Sequence, residues 1–104
     1  MSTPAHIAVI GHMRFHPDRV ADILPHVRVL LEASQNEEGC IGYWVGVDVL
    51  DPGVLRVSEL WVNGESLQRH VKAPHIEPWH VAQKQCGMLE SQYQVIDIAQ
   101  RRAV

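Results

Sequence analysis

Between residues 15 and 20 the hydrophobic period of this chain changes from two to between three and four, and few folds accommodate that change so early. Residues 6 to 15, HIAVIGHMRF, alternate: Ile7, Val9, Gly11, Met13 and Phe15 share one face, and His6, Ala8, Ile10, His12 and Arg14 the other. That is the pattern of a strand. Val20, Ile23, Leu24, Val27, Leu30 and Leu31 then recur at steps of three and four, which predicts an amphipathic helix with Asp18 as its N-cap. Pro25 inside it removes one backbone hydrogen bond, so a kink or a delayed first turn is expected near residues 21 to 25.

The helix is predicted to end at NEEG with glycine at its C-terminus, and CIGYWVGVDV resumes the two-residue period. A Pro-Gly turn in LDPGV joins it to LRVSELWV, so a hairpin is expected over residues 40 to 63. NGES offers an N-cap at Asn63 or Ser66 for a short helix carrying Leu67 and Val71. Further helix is expected to about Cys86 and Gly87, and QYQVIDIA closes the chain as a fourth strand before a polar tail. The order strand, helix, strand, strand, helix, strand is the ferredoxin-like βαββαβ arrangement of the α+β class, in one domain over residues 1–104.

An antiparallel sheet covered by helices on one face should be polar on the other. This one is not: Ile41, Tyr43, Val45 and Val47 oppose Cys40 and Trp44 in the second strand, and Val57 and Trp61 oppose Leu60 and Val62 in the third. A monomer would leave a wide apolar patch in water, so a second sheet from an identical chain, related by a two-fold axis, is expected to cover it.

Composition narrows the classes further. The formal net charge is −3 and the basic residues are scattered singly, which argues against nucleic acid as a partner. No apolar run is long enough to span a bilayer, so no membrane role is expected. The N-terminus carries no secretory pattern, and a reducing cytoplasm is the expected setting, with Cys40 and Cys86 as thiols.

The chemistry is expected in HVKAPHIEPWH, residues 70 to 80. His70, His75 and His80 step by five, which turns each about 140° from the last on a helix, so they share no face. A break near Ala73 and Pro74 could re-aim His70 and His75 toward one point, but no nearby Asp or Cys completes a ligand set, and no metal is expected. Around an apolar, aromatic-lined pocket, histidines can accept a substrate proton and stabilise the resulting anion. Trp79 lies in the same stretch, and Glu59 and Trp61 share a face of the third strand.

EEGCIGYWVGVD at 37 to 48, VSELW at 57 to 61, a histidine nine positions after that tryptophan, and a PH four and five further on resemble the antibiotic biosynthesis monooxygenase family. The resemblance runs over about residues 5 to 98. It implies a dimeric α+β barrel in which two ferredoxin-like sheets face each other. It further implies oxygenation of a small aromatic hydroxyl compound (an anthrone, phenol or quinol) by O2, without metal or flavin. On matching positions His70 and His75 are the family histidines and Trp61 is a cavity wall. Glu59 is a hydrogen-bonded structural carboxylate or a participant in proton transfer, with the structural role favoured because a strand carboxylate facing a tryptophan usually has a fixed partner. Apart from the resemblance, Trp44 and His12 by their strand positions, and Trp79 and His80 by their place in the histidine stretch, are expected to contact substrate.

Two alternatives stand beside this reading. A haem-degrading branch of the same family has an asparagine on the first strand, a tryptophan where His70 stands and a haem-ligating histidine where His80 stands; this chain has Gly11 and His12 on the strand and matches only at His80. The other alternative is a dimeric module that binds a small molecule without turnover.

Overall fold

The alternating and helical periods both resolve into elements in the computed structural model, which describes residues 4–104; residues 1–3, counted in the single domain by the sequence reading, lie outside the described residues. Strand β1 (Ile7–Arg14) leads through a 3-10 turn at Pro17–Arg19 into α1 (Val20–Gln35). Strands β2 (Cys40–Val47) and β3 (Val54–Trp61) form the expected hairpin. Helices α2 (Gly64–Val71) and α3 (Ile76–Gln85) follow, and β4 (Glu90–Asp97) closes the fold. The sheet order is β2-β3-β1-β4, with every neighbouring pair antiparallel. This is the ferredoxin-like arrangement, its second helix divided in two.

The start of α1 differs from expectation. Asp18 does not cap it; the side chain of His16 accepts the Asp18 N–H at 3.2 Å and opens the 3-10 turn, from which α1 continues at Val20. Pro25 lies within an unbroken helix and faces solvent. Buried Val20, Ile23, Val27, Leu30 and Ser34 form the inward stripe, whereas Leu24 is exposed because the stripe is narrower than the apolar pattern.

The registers show which residues share a face. Val9 pairs with Glu59 on one side and Val95 on the other, and Gly11 pairs with Val57 and Tyr93. This set, with Ile7, Met13, Leu55 and Trp61, faces the helices, and most of it is buried. Burying a side chain such as Ile23 or Leu55 contributes roughly 1.5–3 kcal/mol, and both are fully buried. The opposite face carries Trp44 and Ile10, both about half exposed, with Ile96 and Leu60 beside them in register. A register shift between Cys40 and Gly42 moves Cys40 to the helix side, opposite Trp61, which corrects the expectation that it shares a face with Trp44.

The helices cover β1, β2 and β3 and leave β4 bare: every residue of β4 is exposed. That uncovered edge is where a cavity opens.

Candidate active site

The break between α2 and α3 is built from local rules. The Asn63 side chain caps α2, accepting from Ser66 N–H at 2.9 Å and from the Ser66 hydroxyl at 3.0 Å. Pro74 prevents α2 from continuing, so the chain turns through residues 72 to 75, with Ala73 N–H donating to His70 O and Ile76 N–H to Ala73 O. His70 at the end of α2 and His75 at the start of α3 are thereby brought together, their ring centroids 6.0 Å apart and their planes tilted by 51°.

A third group meets them from 33 positions upstream of His70. Gly39 adopts a positive φ of 84°, and a side chain there would collide with Ser66, so only glycine allows the loop after α1 to press against α2. The loop delivers Glu37, whose Oε1 lies 2.9 Å from His70 Nδ1 and 2.5 Å from His75 Nε2. The buried hydroxyl of Ser34 stands 3.3 Å from the same His75 nitrogen.

A cavity of about 390 Å³ lies between α2, α3 and the helix-facing side of β1, β3 and β4, within the size range of small-molecule sites. Val9, Glu59 and Tyr43 form its floor, Leu67, His70, Ile76, Trp79 and Gln83 its helical wall, and Tyr93 and Val95 its open side. Trp61 lies beneath, fully buried, with its Nε1–H donating to Glu59 Oε1 at 2.9 Å. Above it the imidazole of His70 packs on the indole, centroids 4.9 Å apart, and Tyr43 meets both rings.

These contacts define the protonation pattern. His70 Nδ1 faces a carboxylate oxygen and must donate to it, which leaves Nε2 of the neutral ring as an acceptor. Among the described residues no buried side-chain nitrogen or oxygen lacks a partner, and the protein supplies none to His70 Nε2. That nitrogen therefore opens on the cavity His70 lines. Burial pushes the Glu59 carboxyl above its usual range, against the pull of the Trp61 hydrogen bond. Burial and the nearby Glu59 charge push the Tyr93 hydroxyl up to about 12, and the same causes raise Tyr43 further. Both tyrosines are neutral at neutral pH, and His70 and Glu59 are the titratable acceptors on the buried side of the cavity.

The sequence-predicted residues divide accordingly. Glu59, His70, Trp79 and His80 line the cavity, His80 at its exposed mouth. Trp61 supports the floor, and His75 stands behind His70. Trp44 and His12 do not reach the cavity: the two-residue period puts them on the other face of the sheet, where His12 Nε2 pairs with Glu90 at 3.0 Å. Sequence reasoning missed Glu37, Tyr43, Gln83 and Tyr93 as site residues. Tyr93 was recoverable, since its register face is shared with Val9 and Gly11; Glu37 stands in the EEGC stretch of the family resemblance, but nothing local tied it to the histidines. The haem alternative fares poorly at β1, where the Tyr93 ring fills the space a side chain at position 11 would need, and no amide reaches the cavity from that strand.

Fold and site together define a ferredoxin-like α+β domain with a sheet-to-helix cavity backed by a carboxylate and two histidines. The antibiotic biosynthesis monooxygenase family profile matches residues 6–82, and the chain belongs to that family. A Deinococcus radiodurans structure whose name places it in the same family superposes with a TM-score of 0.88 at 18% identity, covering 94% of this chain and 97% of that one. A conserved protein from Methanosarcina mazei gives 0.82 at 25% identity over 89% and 92%. An uncharacterized Synechocystis protein is 28% identical over 69 residues, 66% of this chain and 47% of that relative, so the chain spans about half its length.

Proposed function

We propose that this chain is a monooxygenase that uses O2 to oxidise a small aromatic hydroxyl compound, such as an anthrone, phenol or quinol, without a cofactor. The observation that carries the reading is His70, whose Nε2 opens on the cavity while Nδ1 is held by Glu37. A histidine so held is a general base of fixed orientation. Family membership supports the class of reaction, and the lining of apolar side chains with few polar groups supports an aromatic substrate.

In this reading His70 Nε2 takes a proton from the substrate, and the electron-rich anion passes one electron to O2. The radical and superoxide recombine to a peroxide, which takes up a proton and loses water. For a methylene carbon the sum is R2CH2 + O2 → R2CO + H2O, with the substrate as sole reductant. Tyr93, which lines the open side of the cavity with a neutral hydroxyl, is the candidate donor to a developing oxyanion. Glu59 holds the floor in place through Trp61.

The active unit in this reading is a homodimer joined through the sheet face that carries Trp44, Ile10, Leu60 and Ile96. Burying that face accounts for its apolar character, and it leaves the cavity, on the other side of the sheet, open to substrate.

The test is oxygen consumption by metal-stripped protein over a panel of anthrones and hydroquinones, with uncatalysed autoxidation subtracted. Uptake well above background that vanishes in His70→Ala is the expected result. No uptake across the panel, with ligands still bound in the cavity, would instead identify a binding module.

A further inference from the structure

The sequence reading expected no metal because no third ligand stood near His70 and His75; the fold supplies one. Among the described residues, Glu37, His70 and His75 each bring one ligand atom to within 4.8 Å of the other two. We propose that these three residues form a binding site for a divalent transition-metal ion of the zinc type, set behind His70 on the side away from the cavity.

The donor set is two imidazole nitrogens and a carboxylate oxygen, which suits zinc, and the buried Ser34 hydroxyl, 3.3 Å from His75 Nε2, is a neighbouring oxygen. Donors around a tetrahedral zinc at about 2.0–2.2 Å stand roughly 3.2–3.6 Å apart, so the present arrangement needs adjustments on the order of 1 Å. Both ring nitrogens already converge on Glu37 Oε1. No Lys or Arg pairs with this largely buried carboxylate among the described residues, and its side-chain partners are the two rings. Three separate segments meet here: the end of α1 with its loop, the end of α2 and the start of α3. An ion would clamp the helix break.

Binding requires each ligating ring nitrogen to be free of its proton, which the neutral ring then carries on its other nitrogen. It also changes what His70 presents to the cavity. With Nδ1 on a metal, the neutral ring must carry its proton on Nε2, and the acceptor becomes a donor. Neither Glu37 nor His75 lines the cavity, so the ion would not touch a bound substrate; the site is argued without the oxygenase reading, but an ion there would remove His70 Nε2 as its base.

The test titrates metal-stripped full-length protein with Co²⁺ and Zn²⁺, reading the visible absorption of bound Co²⁺ and the metal retained per chain after gel filtration. The expected result is one ion per chain, lost in Glu37→Gln and in His75→Ala and retained in His16→Ala, whose ring caps the turn before α1. Zinc should also shift the His70 and His75 ring-nitrogen resonances in the unsubstituted protein, a readout that survives if a variant fails to fold. No binding by the parent protein, binding that persists in folded Glu37→Gln and His75→Ala, or unmoved ring nitrogens would overturn the proposal.

Discussion

The ring of Tyr93 lies over the Cα of Gly11, occupying the space that any side chain at that residue would need. The cavity's open side thus depends on an absence in β1. A methyl group at position 11 would meet the ring and also Gln92 O, only 2.5 Å away, and backbone of a paired strand cannot swing aside as a ring can. Gly11→Ala is expected to destabilise the fold by about 1–3 kcal/mol and to loosen β4, as read by urea unfolding and by faster amide exchange in residues 90 to 97. Unchanged stability would mean that β4 is not fixed by this contact.

Glu59 gives a pH-dependent prediction with a definite sign. Its folded-state pKa is raised by burial, so the stability linked to its protonated form is fully present below the ordinary glutamate value of about 4.3 and is lost as pH rises through the folded value. Glu59→Gln keeps an oxygen for the Trp61 indole but cannot ionise. Relative to the parent, this variant should gain stability from about pH 4 toward neutrality, measured by denaturant unfolding at a series of pH values. Glu59→Ala instead orphans a buried N–H and should cost about 1–3 kcal/mol. A parallel pH profile for parent and Glu59→Gln would refute the burial argument.

For the proposed reaction, His70→Ala should lower kcat by about 10²–10⁴-fold, the usual contribution of general base catalysis. Glu37→Gln keeps the size of the side chain but removes the charge that stabilises the imidazolium, so it should lower kcat by less while KM stays near the parent value. Oxygen uptake under saturating substrate measures both. An increase in KM alone would assign these residues to binding.

Much of the fold was legible because each element announces itself locally. The period of two in residues 6 to 15, the three-and-four spacing from Val20 to Leu30, and Asn63 ahead of α2 are all short-range signals, and the structure agrees with each. The site was legible only where it followed those signals: Glu59 and Trp61 share a strand face, and Pro74 marks the break that brings His70 to His75. Glu37 was not, because its meeting with His70 depends on a glycine conformation and a loop contact 33 positions away. Trp44 and His12 were misplaced for a different reason. Strand alternation says that two faces differ without saying which one the helices cover, and both residues fell on the uncovered side.

That uncovered side supports the last prediction. Trp44 is about half exposed, with Ile10, Leu60 and Ile96 on the same face. Soluble monomers rarely leave such side chains grouped in water, and a twisted sheet of the same shape is their natural cover. Trp44→Glu would place a charge at the centre of a dimer interface, where desolvation without a partner is costly. The same change on a free surface would be nearly neutral, because the indole contributes nothing to the core on the other side of the sheet. Sedimentation at micromolar concentration should therefore show a dimer for the parent and a shift toward the 11.7 kDa chain for Trp44→Glu. The cavity lies across the sheet, so small-molecule binding by the dissociated chain should persist. A parent protein that sediments only as the single chain would leave the apolar face unexplained by self-association and would remove the dimer from the proposed active unit.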